Sequence, residues 1–174
     1  MNRLCLIGPE CTGKTTIAGL LAEEHGTTWS REHAREYAER AGRMLTALDV
    51  GAIAAGQIAN QERAEKAASG LVILDTDLIS TVVYARHYYG ACPAWIEEEA
   101  RNRRADLYLL LDTGLPWRPD GVRDAGGDVR EALFEAFRRA LDEFGTTWVI
   151  VSGGWEERVE RARALAMGMG RQDE

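Results

Sequence analysis

Arg3-Leu4-Cys5-Leu6-Ile7-Gly8-Pro9-Glu10-Cys11-Thr12-Gly13-Lys14-Thr15-Thr16 joins three patterns without a break. Its nearly all-apolar start, Arg3 to Ile7, has the length of a strand covered on both faces, as strands of parallel sheets are. Gly8 to Thr15 matches G-x-x-x-x-G-K-[ST], and the helical pattern Lys14 to His25 follows, with Ile17, Leu20 and Leu21 on one face. Strand, glycine-rich loop and helix in that order are the context the motif requires. Successive backbone N–H groups of such a loop point inward and cradle phosphate, and the helix adds its N-terminal dipole. Gly8, Glu10, Cys11, Thr12, Gly13, Lys14, Thr15 and Thr16 are therefore the expected ATP-binding residues. Lys14 would serve the β- and γ-phosphates, and the Thr15 hydroxyl would ligate Mg²⁺. Lysine here is informative, because Lys14 and Lys66 are the only lysines among 21 cationic residues. An ammonium fits a tight backbone cradle that a planar guanidinium does not.

Outward from this segment, strand-length apolar runs alternate with helical patterns. Thr27 to Ser30 reads as a short strand, followed by helices over His33 to Ala41 and from Asp49, a plausible N-cap, to Ala68. Leu71 to Leu74 is a buried strand ending in Asp75, and Leu107 to Leu111 another ending in Asp112. Helices are expected over Leu78 to Tyr89, Pro93 to Arg104, Val129 to Phe144 and Trp155 to Met167, with a last strand over Trp148 to Val151. This alternation predicts an α/β fold of the P-loop type, a parallel sheet of about five strands flanked by helices, in one domain over residues 1–174. Ligands of such sheets bind beyond the carboxyl ends of the strands, so the loops after Ile7, Leu74, Leu111 and Val151 share one rim.

Composition narrows the partners. With 174 residues, 45% of them hydrophobic, 28% charged and a net charge of −7, the chain is a poor general binder of nucleic acid or of an anionic membrane. No apolar run nears the roughly 20 residues that span a bilayer, and the absence of a targeting segment predicts the cytoplasm. Cys5, Cys11 and Cys92 form no C-x-x-C pair and read as free thiols.

Asp75, at the end of a buried strand beside the phosphate loop, fits the second Mg²⁺-holding position. Asp77 follows on the same rim and either meets the metal or a substrate hydroxyl, or caps the helix that begins at Leu78. Guanine-specific GTPases carry N-K-x-D, which this chain lacks. A small domain with a charged, glycine-rich segment before its penultimate helix looks like a small-molecule or nucleoside kinase. That segment, about 113–128, would be a lid, and Arg123 its cation for the transferring phosphoryl group.

Four stretches make the chain recognisable: the phosphate loop through Thr16, Arg35-Glu36-Tyr37, Leu74-Asp75-Thr76-Asp77, and Pro116-Trp117-Arg118-Pro119-Asp120-Gly121-Val122-Arg123. With these it resembles the ribosylnicotinamide kinase domain of the bacterial NAD-biosynthesis regulator family. The resemblance implies phosphorylation of nicotinamide riboside at its 5′-hydroxyl by MgATP. The regulator's helix-turn-helix and adenylyltransferase segments have no counterpart in this sequence, so neither activity is carried over. The family places an aromatic beside the nicotinamide ring just before the acidic residue that follows the second strand. Here that position is Arg31, before Glu32, leaving Trp29, Tyr37, Tyr84 or Trp117 as aromatic substitutes.

The expected catalytic residues are Lys14, Glu32, Asp75 and Arg123. Glu32 would orient the acceptor hydroxyl or take its proton. Arg35, Asp77, Trp117 and Asp120 complete the expected substrate contacts. Rival readings are a kinase of another nucleoside or vitamin alcohol, and an ATP-sensing switch without turnover.

Overall fold

In the computed structural model, residues 1–116 and 128–170 are described. The elements run β1 (Asn2–Ile7), α1 (Lys14–Glu24), β2 (Trp29–Ser30), α2 (His33–Ala41), a single 3-10 turn (Ala47–Asp49), α3 (Val50–Ala67), β3 (Leu71–Asp75), α4 (Leu78–Tyr89), α5 (Ala94–Asn102), β4 (Leu107–Leu111), α6 (Asp128–Glu143), β5 (Trp148–Val151) and α7 (Trp155–Gly170). All five strands are parallel, in the order β2-β3-β1-β4-β5.

The strand sequences explain the layers. In β1 the alternation sends Leu4 and Leu6 to one face and Cys5 and Ile7 to the other, and all four are fully buried. The Leu4 face packs with Ile17 and Leu21 of α1 and Val159 and Ala162 of α7. On the opposite face Cys5 and Ile7 meet α3, α4, α5 and α6 through Ala54, Val82, Ile96 and Phe137. A strand covered on both sides cannot alternate apolar with polar, which is why β1, β3 and β4 read as continuous apolar runs.

The helix ends depart from expectation in instructive ways. Asp49 precedes α3 but makes no side-chain cap to it. Its carboxylate turns back to accept from the backbone N–H of Thr46 at 2.8 Å, and Arg43 holds it with two bonds of 2.7 and 2.8 Å. The phenol of Tyr37 donates to it at 3.0 Å. A guanidinium and a backbone amide outcompete the cap that sequence position alone offers. Pro93 is the N-cap of α5 rather than its first turn; its carbonyl accepts from Ile96 at 3.0 Å. Arg103 and Arg104, expected in that helix, follow it.

Candidate active site

The loop between β1 and α1 depends on two backbone conformations. Gly8 has φ +137, and a Cβ there would stand 2.6 Å from the carbonyl oxygen of Leu111. Gly13 has φ +95, and a Cβ there would stand 2.8 Å from the Trp155 ring. Glycine is thus required at both positions by dihedral and by space. Cys11 also lies in the left-handed region, at φ 55. Thr12 donates to the carbonyl of Pro9 at 2.9 Å, closing the loop on itself, and the Nζ of Lys14 donates to the same carbonyl at 2.6 Å. Thr15 and Thr16 are exposed at the first turn of α1, which carries no acidic residue of its own. Glu10 is buried in the loop wall.

A buried arginine holds the rim together from below. Arg158 of α7 donates to the carbonyls of Gly153 at 2.8 Å and Asp112 at 3.0 Å, and pairs with the Asp112 carboxylate. The ends of β4 and β5 are thereby tied directly beneath the phosphate loop. Its 0% exposure makes the pairing obligatory, since an isolated buried guanidinium is strongly unfavourable.

Asp75 stands where the sequence places it. Its Oδ2 accepts from the Thr15 hydroxyl at 2.7 Å, and its buried Oδ1 has no hydrogen-bond partner among the described residues. Burial, and next the negative charge of Glu32, push the carboxyl up to about 6, against the pull of Thr15, Lys14 and Arg35. Lys14, Glu32 and Arg35 thus lie within electrostatic reach of Asp75, although the four come from the start of α1, the start of α2 and the end of β3. The Thr15–Asp75 pair suits Mg²⁺, a hard cation that takes few protein oxygens and fills its shell with phosphate and water. Among the described residues no group of three or more His, Cys, Asp or Glu could hold a metal ion, so any metal here depends on such a sparse set.

Asp77 takes the other role the sequence left open. One oxygen accepts from the backbone N–H of Ile79 at 2.9 Å, capping α4, and the other accepts from the Tyr108 phenol at 2.5 Å. It is 3% exposed, and both oxygens point into protein rather than toward a ligand. Desolvation pushes it up to about 6, opposed by the bonds from Tyr108 and Ile79. These bonds fill the helix-capping role that the sequence left open for Asp77 beside a metal or substrate contact: a carboxylate that begins a helix finds the backbone amides first.

Beside this rim lies a cavity of about 520 Å³ between α2, α3 and α4. Glu32, at the N-cap of α2, and Thr76 line the end toward Asp75. Tyr84, Tyr88 and Tyr89 line another side, with Met44, Leu45 and Ile53. The rings of Tyr84 and Tyr88 stack with centroids 6.1 Å apart and planes at 5°. No lysine, arginine or histidine belongs to the lining among the described residues. Arg31 is not part of it: the guanidinium sits over the Trp29 ring at 5.2 Å. Trp29 itself packs into the α1–α7 face of the sheet, and Tyr37 is engaged by Asp49, so of the aromatic substitutes among the described residues only Tyr84 reaches the cavity. Trp117, Asp120 and Arg123 lie outside the described residues. The stems beside them are anchored: Arg130 donates twice to the carbonyl of Leu115 at 3.3 Å, and Thr113 pairs with Glu131.

Sequence reading missed Gln57, Thr76, Tyr88 and Tyr89. The signal was present in part. Gln57 and Gln61 sit one turn apart on the face of α3 that also carries Ile53 and Ala54, and polar residues at core positions are rarely idle.

A family model described as an AAA domain matches residues 3–158. The trifunctional NAD biosynthesis/regulator protein NadR of Salmonella typhimurium is 30% identical over 139 residues, which are 78% of this chain and 34% of that protein. Two crystal structures of NadR protein, one in complex with NR and one with NAD and AMP-PNP, superpose with a TM-score of 0.77. They are 27% and 28% identical, and cover 99% of this chain and 51% of the matched chains. The chain thus spans between a third and half the length of these relatives. Among the described residues no helix is long and apolar enough to cross a membrane. The phosphate loop, the sheet order and the likeness to NadR agree, and the chain belongs to this AAA-domain family of P-loop proteins.

Proposed function

We propose that the chain is an ATP-dependent kinase of small alcohols that phosphorylates nicotinamide riboside at the 5′-hydroxyl, giving nicotinamide mononucleotide. The observation that carries this reading is the cavity that opens beside the phosphate loop, with a carboxylate, Glu32, at the junction. A phosphoryl donor on the loop and an alcohol in the cavity would meet there. The absence of a cationic side chain from the described lining, with three tyrosines present, suits a neutral or cationic ring over an aromatic face. The NadR structure in complex with NR supports the choice of acceptor.

In this reading the N–H groups from Gly8 to Thr16 and the Lys14 ammonium bind the donor phosphates. Glu10, Cys11 and Thr12 shape the loop that holds them. Thr15 and Asp75 would hold Mg²⁺, which when bound would neutralise phosphate charge. Glu32 orients the acceptor hydroxyl and accepts its proton as the new P–O bond forms and the bond to the departing ADP breaks. Arg35 supports Glu32 or the acceptor, and Arg123, Trp117 and Asp120 close over the reacting groups.

The test is a coupled ADP-release assay on nicotinamide riboside, adenosine, uridine and thiamine, with the product identified by mass. We expect the highest kcat/KM for nicotinamide riboside. A wild type that ignores it yet turns over a neutral nucleoside overturns the acceptor and leaves the kinase. Tight ATP binding with no transfer to any acceptor overturns both in favour of an ATP-sensing switch.

A further inference from the structure

We propose that Gln57 of α3 is a positioning residue that sets the spacing between Glu32 and Asp75, an inference that rests on the kinase reading above. Gln57 is 2% exposed and lines the acceptor cavity. Its Oε1 accepts from the backbone N–H of His33, the residue after Glu32, at 2.8 Å. Its Nε2 donates to the carbonyl of Thr76, the residue after Asp75, at 3.3 Å. One amide thus clasps the two chain segments that carry the groups on either side of the transferred phosphoryl.

Both segments need such a clasp. Glu32 is the N-cap of α2, yet its side chain makes no cap bond, so His33 N–H, in the first turn, would otherwise lack an acceptor. Thr76 has φ 65, a left-handed backbone that a β-branched residue adopts only when its surroundings impose it. The surroundings here are two bonds: Thr76 N–H donates to the carbonyl of Leu6 in β1 at 3.0 Å, and its carbonyl accepts from Gln57. Serving His33 and Thr76 together takes an acceptor and a donor on one rigid plane, and the Gln57 amide supplies both. Leucine offers neither, and an ionised glutamate offers no donor.

The proposal is tested with Gln57→Leu, Gln57→Glu and Gln61→Leu. Gln61 is 1% exposed and one helical turn along the same face, but its amide bonds to Glu65, away from the site. Gln61→Leu therefore controls for removing a buried amide from this helix. We expect Gln57→Leu to lower kcat for nicotinamide riboside by about 30- to 100-fold, as sub-ångström misplacement of reacting groups does, with KM for ATP within about threefold. Amide hydrogen exchange at His33, read by NMR without substrates, should quicken at least about tenfold as its bond is lost. Gln57→Glu keeps the acceptor for His33, so exchange there should stay as in wild type while kcat still falls. A kcat of Gln57→Leu or Gln57→Glu within about threefold of wild type, or an equal fall in Gln61→Leu, overturns the proposal. Should the wild type phosphorylate no acceptor, the kinase reading fails on its own. The exchange arm then decides the clasp: unchanged exchange at His33 in Gln57→Leu overturns it, and faster exchange absent from Gln61→Leu upholds it.

Discussion

The Nζ of Lys14 lies 2.6 Å from the Pro9 carbonyl, inside the loop it belongs to. That contact joins the phosphate loop to itself, and Lys14 belongs to neither apolar core, so its removal leaves the packing intact. Lys14→Ala should retain a wild-type thermal melt and lose at least about 100-fold in phosphoryl transfer, the usual effect of deleting one preorganised charge from a transition state. Activity within a few-fold of wild type in the coupled assay would sink the phosphate-loop assignment. Asp77 sits two residues from Asp75, the proposed metal ligand, and behaves quite differently. Asp77→Ala should lower stability by about 2–4 kcal/mol in urea unfolding, combining a lost N-cap with a buried Tyr108 phenol left without an acceptor. Asp77→Asn keeps one acceptor, for the Ile79 N–H, but sets an NH2 donor against the Tyr108 phenol, and should fall between wild type and Asp77→Ala. Equal losses in the two variants would show that the charge, not the hydrogen bonds, is what α4 requires.

Among the elements, the turn between α2 and α3 has the clearest dependence on pH. It carries Met44 and Leu45 to the cavity, and Asp49 holds its far end through Arg43, Thr46 and Tyr37. The Arg43 guanidinium, followed by the Thr46 amide, holds the Asp49 carboxyl well below the usual carboxylate range. A depressed carboxyl stabilises the fold fully above its unfolded pKa of about 4 and loses that contribution as pH falls from there toward the folded value. Acid should therefore loosen this turn. Wild type should lose stability as pH falls below about 4, and Asp49→Asn should be less stable at neutral pH but flatter across that range. Parallel urea midpoints for the two proteins from pH 7 to pH 3 would contradict this.

The same elements show which features a sequence can display. β1, β3 and β4 announce themselves because a strand buried on both faces must be apolar throughout, and Gly8 to Thr15 because few other arrangements of glycine, lysine and threonine wrap a phosphate. Glu32 was legible through its place after a strand, although that strand is only Trp29–Ser30. Asp49 was not, because its neighbours in sequence offered a cap while its neighbours in space offered a guanidinium. Gln57 reads as a surface residue until α3 is docked on the sheet. Tyr84 was among the aromatic substitutes the sequence offered, whereas Tyr88, one helical turn on, joins the wall only through the gap between α2, α3 and α4.

For the molecule as a whole, the decisive quantity is the sign of charge around the acceptor. The chain carries a net −7, Glu32 is the one ionisable carboxylate of the described cavity lining, and Arg31 is held over Trp29 on the far side. Nicotinamide riboside should therefore exceed its carboxylate analogue, nicotinic acid riboside, by at least about tenfold in kcat/KM, since an added anion would face Glu32 without a partner. Arg31→Ala should change either value by less than about threefold. A preference for the carboxylate, abolished by Arg31→Ala, would place the guanidinium in the site and contradict the geometry.

The central position of β1 also constrains how the molecule is made. Leu4 and Cys5 find their partners at Ile73 and Leu74 on one side, and at Leu107 and Tyr108 on the other. On a ribosome the strand that delivers the phosphate loop emerges well before either neighbour exists. Its apolar edges wait through the synthesis of α1, α2 and α3 for the first and of α4 and α5 for the second. Contacts so distant in sequence make for slow folding and a long exposure of sticky backbone. The strand that carries the phosphate loop is thus translated before both of its neighbours, and the nucleotide site takes shape only once they have joined it.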